Sequence, residues 1–167
     1  MAEPGAFDAL IEGNREYARS FDRGHMAAPA RAGVAVVTCM DSRIDPLPML
    51  GLDLNDAKVI RNPGARVTDA VLEALVLAVH LLEVKRIAIV PHTRCAMASA
   101  SEEELRERVA TSAGRSADWQ RFHVVPDQEQ ALTEDVGRVG THPLIGEHVA
   151  VGGFLYDVDT GALQQLV

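Results

Sequence analysis

Much of what this 167-residue chain could be is excluded by what it lacks. Aromatic residues make up only 4% of it, so a core drawn from the 47% hydrophobic content must be built from Val, Leu, Ile and Ala. Basic residues are the minority, 16 Lys and Arg against 24 Asp and Glu, for a formal charge of −8. That balance argues against nucleic acid, whose phosphates demand a basic face. No apolar run reaches the length of a membrane span, so no membrane partner is expected. The first residues, Met1-Ala-Glu-Pro-Gly-Ala-Phe7, lack the basic start and apolar stretch of an export signal, and a cytoplasmic location is the expectation. There is no Gly-x-Gly-x-x-Gly after a strand, no Walker A lysine loop and no Gly-x-Ser-x-Gly elbow, which removes the common dinucleotide, nucleotide and serine-hydrolase readings. Repeats, low-complexity runs and interdomain linkers are absent as well, leaving one domain over 1–167.

Cysteine is scarce too, and here scarcity informs. The two cysteines fall in Cys39-Met-Asp41-Ser-Arg43 and His92-Thr-Arg-Cys95, each closing a run rich in β-branched residues, Val34–Thr38 and Ile87–Val90. In a reducing cytosol two cysteines point to metal binding or catalysis before a disulfide. A free cysteine is commonly just a small buried apolar residue, and a His-x-x-Cys pair recurs by chance. The joint pattern outweighs those readings. Two parallel strands would deliver two thiols and an imidazole to one sheet edge, a set that suits zinc with one coordination position left open. Two thiolates lower the Lewis acidity of such an ion, so a neighbouring group must help, and Asp41 is the available one. A bidentate Arg43–Asp41 pair would keep that carboxylate ionised and off the metal; released, Asp41 would become a conditional fourth ligand.

The remaining pattern alternates strands with helices. We expect an N-terminal helix over 6–22, with Phe7, Leu10, Ile11 and Tyr17 on one face, and an extended arm to residue 33. The α/β core then runs over 34–167. Strands are expected at 34–39, 57–61 and 86–91, with a fourth at 121–126, and helices at 68–83, 102–112 and 127–139. A closing hairpin follows over 150–167. This predicts an α/β fold: a central, mostly parallel sheet of four strands plus an antiparallel edge strand, flanked by helices. Both cysteine motifs end strands, where such sheets bind ligands. The turn Asn62-Pro-Gly64-Ala-Arg66 closes another strand, and its glycine would let the backbone approach a ligand.

With Cys39-Met-Asp-Ser-Arg43, Val59-Ile-Arg-Asn-Pro-Gly64 and His92-Thr-Arg-Cys95 in this order, the chain resembles the β-class carbonic anhydrases, in particular their short prokaryotic branch. The resemblance runs over roughly residues 5–166, including Gly153-Phe-Leu-Tyr-Asp157 and Thr160-Gly161. It implies one zinc per subunit held by Cys39, His92 and Cys95, with Asp41 and Arg43 as catalytic dyad and Asp41 as the occasional fourth ligand. It implies a substrate cleft beside Gly64, with which we group Asn62 and Ala96. The implied activity is reversible hydration of carbon dioxide to bicarbonate by a zinc-bound hydroxide. The implied assembly is a homodimer, or a tetramer made of two such dimers, with the N-terminal helix wrapping the partner. Hydrolysis of carbonyl sulfide or carbon disulfide at the same zinc, and a catalytically silent zinc-binding homologue, are the competing readings. Two positions depart from the family pattern: Ala96 stands where glycine is frequent, and Arg94 where aspartate is. Arg94 could bind an anion, pair with an acid across the interface or lie in solvent. For the proton route, His25, His80, His123, His142 and His148 qualify by residue type alone.

Overall fold

The computed structural model describes residues 5–167; the first four residues of the expected N-terminal arm lie outside it. Helix α1 (Asp8–Arg19) comes first and buries none of its residues against the rest of the chain. An extended arm leads to β1 (Val34–Cys39), which is buried along nearly its whole length. A buried strand is the reason Val34-Ala-Val-Val-Thr38 reads as an unbroken apolar run with no alternation. Strand β2 (Ala57–Asn62) follows, then a single tight turn of helix at Pro63–Ala65 and helix α2 (Asp69–Leu81). The Thr68 hydroxyl caps α2 by accepting from the Val71 N–H.

Strand β3 (Arg86–Val90) leads through the His92–Cys95 segment into a one-turn helix, α3 (Ala96–Ser99). Helix α4 (Glu102–Ala113) starts from a capping box between Ser101 and Glu104. Helix α5 (Gln128–Gly140) is followed by β4 (Ala150–Tyr156) and β5 (Leu163–Gln165). The five strands lie in the order β2-β1-β3-β4-β5. All neighbours are parallel except β4 and β5.

The expected architecture of four parallel strands and one antiparallel edge strand is present, with one correction to its parts. Residues 121–126 form no strand. The slot beside β3 belongs to β4, paired Arg86 with Ala150 through Ile89 with Gly153. The 121–126 segment instead lies over the loop after β3, where the Val125 N–H donates to the Met97 carbonyl at 2.7 Å. The alternation of Phe122 and Val124 with Arg121 and His123 suits a covering loop as well as a strand, and Pro126 at its end would interrupt a ladder.

The main core, with Val37, Val71, Leu75, Val79, Ile87, Ile89, Leu132 and Val139, fills the space between the sheet, α2 and α5. A second, smaller apolar cluster gathers Cys39, Ile44 and Cys95 with Met49, Met97, Ala98, Tyr156 and Val158 beyond the carboxyl ends of the strands. From β1 the chain passes to β2 on one side and to β3 on the other. This second cluster therefore sits where strand order reverses, the position at which open α/β sheets form their binding crevices.

Candidate metal centre

Strand β1 ends on Cys39, and β3 delivers His92 and Cys95 just beyond its own last residue. The register sets Val37 beside Ile89 and Thr38 beside Val90, so both strands finish at the same level. The Thr38 hydroxyl reinforces this by donating to the Val90 carbonyl at 2.8 Å. All three side chains are buried, and their sulfur and nitrogen atoms lie within 4.8 Å of one another. Among the described residues no other group of three His, Cys, Asp or Glu side chains converges in this way.

The donor set fits a zinc ion on three counts. The Cys39 and Cys95 sulfurs are 4.0 Å apart, far beyond a disulfide, while two thiolates on a tetrahedral zinc at ~2.3 Å each would sit about 3.8 Å apart. His92 donates from Nδ1 to the Thr93 carbonyl at 2.8 Å, which fixes the tautomer and leaves a lone pair on Nε2. That Nε2 is, among the described residues, the one buried side-chain nitrogen or oxygen with no hydrogen-bond partner. A fully buried polar atom without a partner is costly unless a ligand fills the gap.

The third count is charge. The Cys39 thiol is held down to about 3, chiefly by accepting a hydrogen bond from Cys95 and further by the Gly64 N–H at 3.4 Å. Cys95 is pushed up by that same bond to Cys39 and by burial. The bare pocket therefore favours one thiolate and one thiol, and a dication is what would stabilise both as thiolates.

Asp41 stands at the rim. Its Oδ2 is 3.9 Å from His92 Nε2. Arg43 grips the carboxylate from two sides, Nε to Oδ1 at 2.9 Å and Nη2 to Oδ2 at 2.7 Å, and the Arg43 backbone N–H adds a bond to Oδ1 at 2.9 Å. The Arg43 side chain, then its backbone N–H, hold Asp41 well below the usual carboxylate range, and the Asp41 carboxylate in turn raises the guanidinium. The pair expected from the sequence is present, made within a turn that the Ile44 N–H closes on the Asp41 carbonyl at 3.1 Å.

Gly64 has φ 79°, and a Cβ there would press on Met97 and Val125 at 3.4 Å, so a glycine is what lets the N–H reach the Cys39 sulfur. Asn62 spends its side chain on its own turn, donating to the Arg66 carbonyl and accepting the Arg66 N–H. Ala96 is exposed at the start of α3, directly after Cys95. Arg94 pairs with Asp159 of the same chain at 2.7 Å, and its backbone carbonyl accepts from Arg43 Nη2 at 3.3 Å. Four of the five histidines suggested for a proton route are engaged elsewhere. His80 and His148 stack edge to face with each other, and His123 and His142 line grooves beside the start of α2. Spacing gave no sign of Gln128, whose Nε2 donates to the His92 carbonyl at 3.0 Å, or of the Thr93 hydroxyl, which donates to Asp157 at 3.4 Å. Both tether the segment that carries two of the three buried donors.

Comparison with known proteins agrees with this geometry. Residues 34–163 match the family model described as carbonic anhydrase. Over 159 residues the chain is 31% identical to beta-carbonic anhydrase 1 of Mycobacterium tuberculosis, covering 95% of this chain and 96% of that one. The crystal structure of carbonic anhydrase from Streptococcus mutans superposes with a TM-score of 0.88 at 35% identity, over the whole of both chains. A carbon disulfide hydrolase of Acidithiobacillus thiooxidans is 27% identical over 175 residues, covering 92% of this chain and 85% of that protein.

Proposed function

The chain belongs to the carbonic anhydrase family, in its β class, and on that premise we propose that it interconverts carbon dioxide and bicarbonate with zinc held by Cys39, His92 and Cys95. The observation that carries this reading is the orphaned lone pair of His92 Nε2, facing two sulfurs on one side and the Arg43-held carboxylate of Asp41 on the other. Bound zinc would supply a Lewis acid that acidifies the attacking water near neutral pH.

The protein's own residues do the rest. Asp41, kept ionised by Arg43, is an acceptor only, and it orients the attacking water by taking a hydrogen bond from it. The bidentate grip of Arg43 also keeps Asp41 from becoming the fourth ligand. Ile44, Met97, Ala98, Tyr156 and Val158 give the inner side of the site an apolar wall, which suits a small linear substrate and strengthens the electrostatics within. Gly64, Asn62 and Ala96 shape the cleft wall. The working unit in this reading is a homodimer.

The carbon disulfide hydrolase relative supplies a second substrate to test on the same site. Zinc-loaded protein is assayed for hydration of carbon dioxide by stopped flow and for sulfide release from carbon disulfide and carbonyl sulfide. We expect hydration to dominate. Sulfide release without hydration would transfer the activity to the sulfur substrates, and silence in all three assays at every pH would leave a zinc-binding homologue. Asp41→Asn should retain zinc and lose turnover by about 10²-fold or more. Unchanged turnover in that variant would take Asp41 out of the mechanism.

A further inference from the structure

The Cys39–Arg43 segment must hold two groups in register, the Cys39 sulfur and the Asp41 carboxylate, yet it has left the sheet. Cys39 is the last residue of β1, and on β2 the ladder ends at Asn62, because Pro63 has no N–H to extend it. The segment's own backbone bonds are few: Met40 N–H to the Asn62 carbonyl at 3.1 Å and Ile44 N–H to the Asp41 carbonyl at 3.1 Å. A side chain from the neighbouring strand makes up the deficit. Arg61, paired in register with Thr38, donates from Nε to the Cys39 carbonyl at 2.9 Å and from Nη2 to the Asp41 carbonyl at 2.6 Å.

We propose that Arg61 is a positioning residue of the reaction: its fork grips the backbone on both sides of Met40 and thereby fixes where the Asp41 carboxylate stands relative to the Cys39–His92–Cys95 cluster. One guanidinium spanning two carbonyls two residues apart constrains the peptide planes between them, a task a single point charge does not perform. Arg61 differs in this from Arg43, which holds the carboxylate itself. Arg61 also makes no ion pair among the described residues, and both of its side-chain hydrogen bonds there go to this segment. A carboxylate displaced by an ångström loses most of its value in orienting an attacking water.

The inference rests on the proposed role of Asp41, and the test separates the two. Arg61→Leu is compared with Arg61→Lys, Asp41→Asn and the Arg61→Leu/Asp41→Asn double variant. Each is measured for zinc content, for kcat and KM in carbon dioxide hydration, and for the visible absorption of the cobalt-substituted form. We expect Arg61→Leu to keep its zinc, to lose roughly 10- to 100-fold in kcat with KM little changed, and to shift the cobalt bands. Arg61→Lys keeps the charge and one of the two bonds and should recover part of kcat; it also carries the comparison if Arg61→Leu does not fold.

The double variant should be no slower than Asp41→Asn alone, since Arg61 acts through Asp41. Fully additive losses, or an Arg61→Leu enzyme with unchanged kcat and cobalt spectrum, would overturn the proposal. If Asp41→Asn retains full activity, the reading of Asp41 fails on its own. The cobalt spectra of the two Arg61 variants then still report whether this side chain sets the geometry of the segment.

Discussion

At the scale of single residues, the three buried donors should behave as one unit. Cys39, His92 and Cys95 come from two strand ends and share no backbone turn beyond His92–Cys95, yet each faces the other two within 4.8 Å. Replacing one leaves two, too few for a stable zinc site. Cys39→Ser, His92→Ala and Cys95→Ser are each expected to fall from stoichiometric zinc to a minor fraction after dialysis against a chelator, by metal analysis. Full zinc retention in any one of them would remove that residue from the ligand set. This triad was legible in the sequence because its signal is local: two motifs, each at the end of a run rich in β-branched residues. The groups that tether it were not. Gln128 and Arg61 act on backbone carbonyls of residues 36 and 22 positions away, and a donor aimed at a carbonyl leaves no pattern in the acceptor's sequence. Arg94 is similar: its acid, Asp159, lies 65 positions on, brought close only by the β4–β5 turn.

At the scale of elements, strands β1 and β3 and helices α2, α4 and α5 follow from apolar runs, spacing and caps within about two residues of the expected limits. The false strand at 121–126 has a physical cause. Local pattern reports that a segment can pair, and only the whole sheet reports whether a place is free. Strand β4 shows the converse. Its Gly153 looks like a weak point in a strand, but a Cβ there would meet Leu132 Cγ of α5 at 2.9 Å, so the glycine is what admits the helix against the sheet.

The arm before β1 is held to the turn before β2 by charge: Arg31 Nε donates to Asp56 Oδ1 at 2.6 Å while the Asp53 N–H donates to Oδ2 at 2.8 Å. Both bonds favour ionised Asp56, Arg31 foremost, and lower its pKa in the folded state. A depressed carboxylate contributes stability that is complete above its unfolded value and is lost as pH falls through the folded one. Asp56→Asn should therefore melt below the parent near neutrality, and the gap in Tm should close as the solution is taken below the carboxylate range. A gap that stayed constant with pH would assign the loss to packing and not to the ion pair.

At the scale of the whole molecule, α1 is the element without a place. Its twelve residues bury nothing in their own chain, and Phe7 at 62% and Leu10 at 70% exposure stand out with Ile11 and Tyr17 on its surface. An isolated helix of this length is marginal in water, and the ion pairs Glu12–Arg15 and Glu16–Arg19 add only a few tenths of a kcal/mol each. Something must cover that face for the helix to persist, and a second copy of the chain offers the same helix in return, the reciprocity of a two-fold interface. A net charge of −8 opposes non-specific association, so the contact has to be made by this apolar face and not by general stickiness. We expect sedimentation at micromolar concentration to give the dimer mass. Leu10→Glu combined with Ile11→Glu should shift it to the monomer and lower the helical signal in far-ultraviolet circular dichroism by about the share that α1 contributes. Zinc content should hold in that variant, because Cys39, His92 and Cys95 all come from one chain. A parent protein that sediments as a monomer with α1 fully helical would refute the dimer and leave the apolar face of α1 to some other cover.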